Sequence, residues 1–314
     1  MSAILGLTLL LCASGLEVRG AAGVQLDAAP HGILDLGLRS GPWSAELYTD
    51  TLDLRFAPAH DSGRSFVALR LGALAAQLLF APWSNGAPDP GRALLSPHAA
   101  LQLGWYEYLG RGLYLGLEAE ARAFLFFAGP DREAPAPDPT WVLSPKGVVG
   151  YWTPALELRL EASTDVLPDR VAPRGAGYFR LLPEGRVVPR IEIWAGSGQK
   201  QGDLLRTRLG GLNPYVVPLA GAGWAERWVE DYAVLRIGPH LHFDPLGLQA
   251  QLSLVADLAW ADDQQDLGLG ILGRLDGDPW FVELSGGYTP TLPRPAGASR
   301  LSAFLMAGAR WAGW

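Results

Sequence analysis

The residues able to do chemistry in this 314-residue chain fall in runs with one position between them. Glu118, Glu120 and Arg122 form one run, and Glu157, Arg159 and Glu161 another. Arg190 pairs with Glu192 at the same spacing. His240 pairs with His242, with Arg236 nearby. Two carboxylates could serve as general acid and base, and a His-X-His pair could hold a metal. Residues two apart share one face of a strand. An arginine beside the acids then makes a charge ladder that braces a polar wall, and such ladders can set ion preference in a pore. The histidines have no third ligand in view, and Arg236 opposes a bound cation. Ser96 lies two residues from His98, and His31 and His60 also lie near strand ends, so a lipid-hydrolysing Ser–His pair is a minor alternative. Nothing marks a nucleophile. Gly268-Leu269-Gly270 opens no helix and so is no phosphate loop. The expectation is a protein with no catalytic set, no metal and no cofactor.

The elements that must position these residues are strands. Leu246–Trp260 alternates for fifteen residues. Leu248, Leu252, Leu254, Leu258 and Trp260 make an apolar stripe, with Gln249, Gln251, Ser253 and Asp257 opposite. Leu113–Leu125 repeats the pattern, with Glu118, Glu120 and Arg122 on the polar face. So do Ile33–Arg39, Ala99–Trp105, Val142–Trp152, Leu156–Ala162, Val187–Ala195, Ala233–Phe243, Leu267–Arg274, Trp280–Tyr288 and Leu301–Trp311. Ala45–Phe56 changes parity near Asp50, which reads as a bulge in one strand. Ser65–Phe80 holds one or two strands, with Gly72 as a candidate turn. Asp165–Gly175 reads as a loop, and residues 196–230 carry little pattern. About 14 strands result, within a range of about 12–16.

Hydrophobic residues make up 49% of the chain and charged residues 18%, yet no internal apolar run reaches the ~18 residues of a membrane helix. A net charge of −7 argues against a nucleic-acid partner. Residues 1–22 resemble a secretory leader with cleavage near Ala22, or nearer Gly15, and Gly23–Pro30 then reads as a short lead. The only cysteine, Cys12, lies in that leader. The mature chain would have no thiol chemistry.

A barrel of about 14 strands is too wide for side chains to fill with an apolar core, so the charged faces belong in a wet lumen and the apolar stripes face lipid. The lumen set is Glu118, Glu120, Arg122, Glu157, Arg159, Glu161, Arg190, Glu192, Arg236, His240, His242, Asp257, Arg300 and Arg310. Trp105, Trp152, Trp260, Trp280, Tyr288 and Trp311 end their stripes, as the girdle aromatics of membrane barrels do. The fold expected is all-β: a single antiparallel transmembrane β-barrel over residues 23–314 in a bacterial outer membrane. Its partners are outer-membrane lipids and, during biogenesis, barrel-assembly machinery. The first functional reading is a structural barrel or passive pore.

Residues 209–311 also resemble the C-terminal barrel half of the Omp85 superfamily of outer-membrane insertases and two-partner secretion transporters. The resemblance rests on Leu209-Gly210-Gly211, a long loop, and then five strands. Asp257 lies on the second of these and Leu267-Gly268-Leu269-Gly270 on the third. It implies that the loop folds into the lumen, that Asp257 points at it, and that an assembly or secretion role is the alternative. The family's Arg-Gly-aromatic loop motif is absent: Asn213-Pro214-Tyr215 stands in its place. The family's periplasmic domains have no counterpart in residues 23–314.

Overall fold

The computed structural model describes residues 16–26, 31–49, 51–56, 65–74, 83–84, 87–88, 93–129, 132, 135–210, 216–222, 226–244, 248–294 and 299–312. Its wall is a closed antiparallel barrel of 16 strands. In chain order these are β1 (Glu17–Leu26), β2 (His31–Ser40), β3 (Trp43–Tyr48), β4 (Thr51–Phe56), β5 (Ser65–Leu74), β6 (Leu94–Gly110), β7 (Leu113–Phe124) and β8 (Thr140–Trp152). They continue with β9 (Leu156–Val166), β10 (Val171–Leu181), β11 (Val187–Gly198), β12 (Tyr232–Phe243), β13 (Gln249–Ala261), β14 (Gln264–Asp276), β15 (Trp280–Tyr288) and β16 (Leu301–Ala312). Each strand pairs with its sequence neighbour, and β16 returns to β1 with register Glu17↔Ala312 to Leu26↔Ala303. Closure leaves no free sheet edge. Residues before 16, including Cys12, lie outside the described residues.

Alternation sorts side chains between the two faces. On β13, Leu254, Leu258 and Trp260 are exposed outward, while Ser253, Val255, Asp257 and Ala259 are buried inward. On β7, Leu113, Leu115 and Leu117 are exposed outward, while Glu118 and Glu120 engage cations inside. The outer surface is therefore the apolar one, the reverse of a water-soluble barrel.

The two rims differ. Both ends of the described wall, Glu17 and Ala312, lie on one rim, with tight turns such as Gly41-Pro42 and Arg111-Gly112. The connections 125–139, 199–231 and 289–300 leave from the other, far rim. The longest connections gathered on one rim are a membrane-barrel feature. The outward aromatics form two belts: Trp105, Trp152, Trp280 and Trp311 toward the terminal rim, and Trp260 and Tyr288 toward the far rim, all exposed. Trp43 joins the first belt and Trp141 the second.

Several sequence expectations need correction. The parity change within Ala45–Phe56 is a hairpin between β3 and β4, because Thr49 turns the chain at a φ of 49°. Gly72 is no turn; it sits in β5 opposite His98, where an added Cβ would meet the imidazole at 2.4 Å. Asp165–Gly175 is not a loop. Residues 167–170 turn the chain and β10 starts at Val171. Glu17–Leu26 is the first wall strand, so Ala22 lies inside β1 and Gly23–Leu26, expected as part of a lead, are strand; residues 27–30 lie outside the described residues. Within β1, Ala21 is buried and Arg19 pairs with Asp35 of β2 at 2.9 Å.

Candidate functional site in the barrel lumen

The connection between β11 and β12 turns into the barrel. Its described parts include one helical turn (Gly202–Leu205), a small hairpin of Thr207–Leu209 with Arg227–Val229, and residues 216–222. The wall beneath residues 219–222 is floored with glycine. An added Cβ on Gly268 would lie 2.4 Å from the Ala220 carbonyl oxygen, and one on Gly287 would lie 2.2 Å from the Gly221 nitrogen. Gly270 also abuts Ala220, at 3.0 Å from its Cβ. Gly221 has a φ of +80°, open to glycine but strained for other residues. Leu219 and Ala222 pack with Val234, Ala259 and Leu292.

Three buried ion pairs surround this seat. Arg236 and Asp257 stand directly opposite in the β12–β13 ladder. Their bidentate pair has both bonds at 2.7 Å, with side-chain exposures of 3% and 0%. The Ala220 N–H donates to the same carboxylate at 2.7 Å, so Asp257 joins wall and loop. The Arg236 guanidinium also lies 5.5 Å from the centre of the Trp194 ring. Arg294, beyond β15, grips both Glu226 carboxylate oxygens at 2.8 and 2.5 Å and reaches the Gly221 carbonyl at 3.2 Å. Arg227 donates to Asp266 at 3.0 Å and to Gln264 at 2.7 Å. Removing one partner of such a pair costs about 3–5 kcal/mol, because the other charge is left buried alone.

Across the lumen the helical turn places Leu204 and Leu205 against Phe124, Val142, Leu167 and Ala172. The connection thus touches both the β7–β10 wall and the β12–β15 wall. A cavity of about 1340 Å³ remains, lined among others by Arg70, Glu120, Lys146, Asp165, Arg208 and Trp228.

The charge runs read from sequence line the inner wall as ladders. Arg70 bridges Asp53 and Glu120, and Arg122 donates to Glu120. Lys146 sits between Glu118 (2.7 Å) and Glu161 (3.2 Å), with Arg159 on the other side of Glu161. Tyr106 donates to Glu118, and Arg180 pairs with Glu157 at 3.1 Å. Arg190 pairs with Glu192 at 2.9 Å and donates to Ser253. His240 Nδ1 contacts the Ser253 hydroxyl at 2.6 Å, and His242 meets the His240 ring edge-on. Among the described residues no further His, Cys, Asp or Glu joins them as a third ligand. Arg310 lies over Phe281 on the inner face. Arg300 departs from its expected place: it precedes β16, is exposed, and donates to the Pro290 carbonyl at the rim. His98 faces the backbone carbonyl of Ser96 rather than its hydroxyl, and both residues line the cavity, away from lipid. His60 lies outside the described residues.

Sequence reasoning does not single out Glu226, Arg227 or Arg294. They lie in connections with no two-residue period, and only their pairing in space gives them a role.

The chain matches no protein-family model and no curated protein. Solved structures do resemble it. CdiB from Escherichia coli superposes with a TM-score of 0.64 at 11% identity, over 93% of this chain and 63% of that one. CdiB from Acinetobacter baumannii gives 0.57 at 12% identity, over 94% and 60%. BamA from Haemophilus ducreyi lacking POTRA domains 1–3 gives 0.58 at 11%, over 95% and 70%. The chain has their barrel fold. It spans about 60% of the length of the two CdiB chains, and at this identity the likeness concerns the fold alone. The glycine-floored seat and the Asp257 pair therefore sit in a wall that shares the barrel fold of these structures. The arginine on Asp257 comes from strand β12, and the described loop contributes a backbone N–H.

Proposed function

We propose that the protein is an outer-membrane barrel of the Omp85 kind. Its lumen loop is a lock, and it acts in assembly or export of polypeptides at that membrane rather than as a standing pore. The observation that carries this reading is the Asp257 carboxylate, shared between Arg236 of the wall and the Ala220 N–H of the loop. Three buried ion pairs around a loop inside the channel give the barrel a defined closed state, which a barrel that opens and recloses needs. Outer-membrane placement is supported by the apolar outer face, the two aromatic belts and the unequal rims.

The test is reconstitution in liposomes with an unfolded eight-stranded barrel as client. Wild-type protein is expected to speed client insertion, and Asp257→Ala to change that rate. Client insertion no faster than in empty liposomes would remove the assembly role. The passive-pore reading keeps one observation in its favour, the charge-lined cavity of about 1340 Å³. It predicts steady conductance from wild-type protein.

A further inference from the structure

The large cavity beside the loop carries an excess of positive charge. Among the described residues, eight arginines and lysines line it against five aspartates and glutamates, although the chain as a whole has a net charge of −7. A low-dielectric wall around a cavity of one sign concentrates the field inside it and draws in counter-ions. The cavity extends to Asp138, Asp169 and Arg170 on the far-rim connections, so it reaches up to that rim.

The excess has a focus on β4–β7. Arg70 and Arg122 stand on either side of Ala100 in the wall ladder, where Ala100 offers only a methyl group. Both guanidinium groups meet on one carboxylate, Glu120, and Arg70 also grips Asp53 at 2.5 Å. Arg55 stands directly opposite Arg70, which brings a third positive charge beside the pair. Like charges in that register destabilise a ladder. The Nε atoms of Arg55 and Arg122 are buried with no acceptor. Ser96, His98 and Gln102 line the same stretch of wall and add neutral hydrogen-bond donors.

We propose that this cavity is an anion vestibule seated on Arg70 and Arg122, and that its ligand is a water-borne oxyanion with two or more negative charges, of the condensed-phosphate class. Arginine forks match such oxygens in bidentate geometry. Glu120 already competes for both guanidinium groups, so a singly charged anion gains little there and a multiply charged one prevails. The wall keeps lipid headgroups out of the lumen, which makes the ligand a solute. The seat lies across the lumen from Asp257 and does not depend on what the loop lock does.

Calorimetric titration of the detergent-folded full chain with inorganic pyrophosphate tests it, with spermine as the cationic counterpart. Pyrophosphate is expected to bind wild type, to bind Arg122→Gln about tenfold more weakly, and to bind less tightly as NaCl rises. Glu120→Gln removes the competing carboxylate and is expected to bind about tenfold more tightly, a gain that loss of fold cannot imitate. Heat-modifiable gel migration checks that each variant is folded. Binding of spermine in place of pyrophosphate overturns the proposal. So does pyrophosphate binding of equal strength in wild type and both variants, which marks an adventitious ion only. Absence of pyrophosphate binding in both wild type and Glu120→Gln overturns it as well.

Discussion

Asp257 has no exposed surface and three donors on its carboxylate, two from Arg236 and one from Ala220. The two arginine bonds keep the wall together, and the third keeps the loop down. Asp257→Ala therefore removes the loop's anchor and leaves Arg236 buried without its counter-charge. We expect about 3–5 kcal/mol of lost stability, read in the urea midpoint of the barrel. Faster protease cutting within residues 207–229 is expected with it. Unchanged protection would mean that Arg294 and Arg227 hold the loop unaided. The inward aim of Asp257 is legible in the sequence because a period of two fixes its face. Its partner on the loop is not, since Ala220 contributes only a backbone N–H that no side-chain pattern reveals.

Elements show where period-two reasoning works and where it fails. β7 and β13 read cleanly because large aliphatics alternate with charges. β10 does not: Val171-Ala172-Pro173-Arg174-Gly175-Ala176-Gly177 has too few large side chains to form a stripe. The β3–β4 hairpin imitates a bulge because both devices shift parity, and Thr49 makes the turn without glycine. β1 is hidden in the sequence by the apolar run of residues just before it. Cleavage at Ala22 would strip β16 of its partners from Ala307 to Ala312, so the mature N-terminus is expected at or before Glu17. N-terminal sequencing of the membrane-extracted protein decides this, and a start at Gly23 would require β16 to close differently. The glycine floor makes a second prediction at this scale. Gly268→Val drives a side chain into the Ala220 carbonyl and should unseat the loop while the wall survives. Gly286→Ala has open space at its Cβ and should be neutral. Protease accessibility of the loop and heat-modifiable gel migration, measured together, separate the two outcomes.

At the scale of the whole molecule, an apolar exterior surrounds an interior divided between a seated loop and a charge-lined cavity. The barrel class and the range of about 12–16 strands are legible in the alternation; the count of about 14 falls short of the 16 observed because β1, β10 and the β3–β4 hairpin do not read as separate stripes. The loop's seat was suggested only by the resemblance of residues 209–311, since the seat is made by glycines whose role is to be absent in volume. With the loop seated and its three ion pairs made, this structure is a closed, locked state of the barrel. Single-channel recording in planar bilayers tests it most directly, comparing wild type with Asp257→Ala and Arg294→Ala combined. The wild type is expected to be shut for most of the record, and the variant to show large, frequent openings. A wild type that conducts steadily, at the same level as the variant, would contradict it.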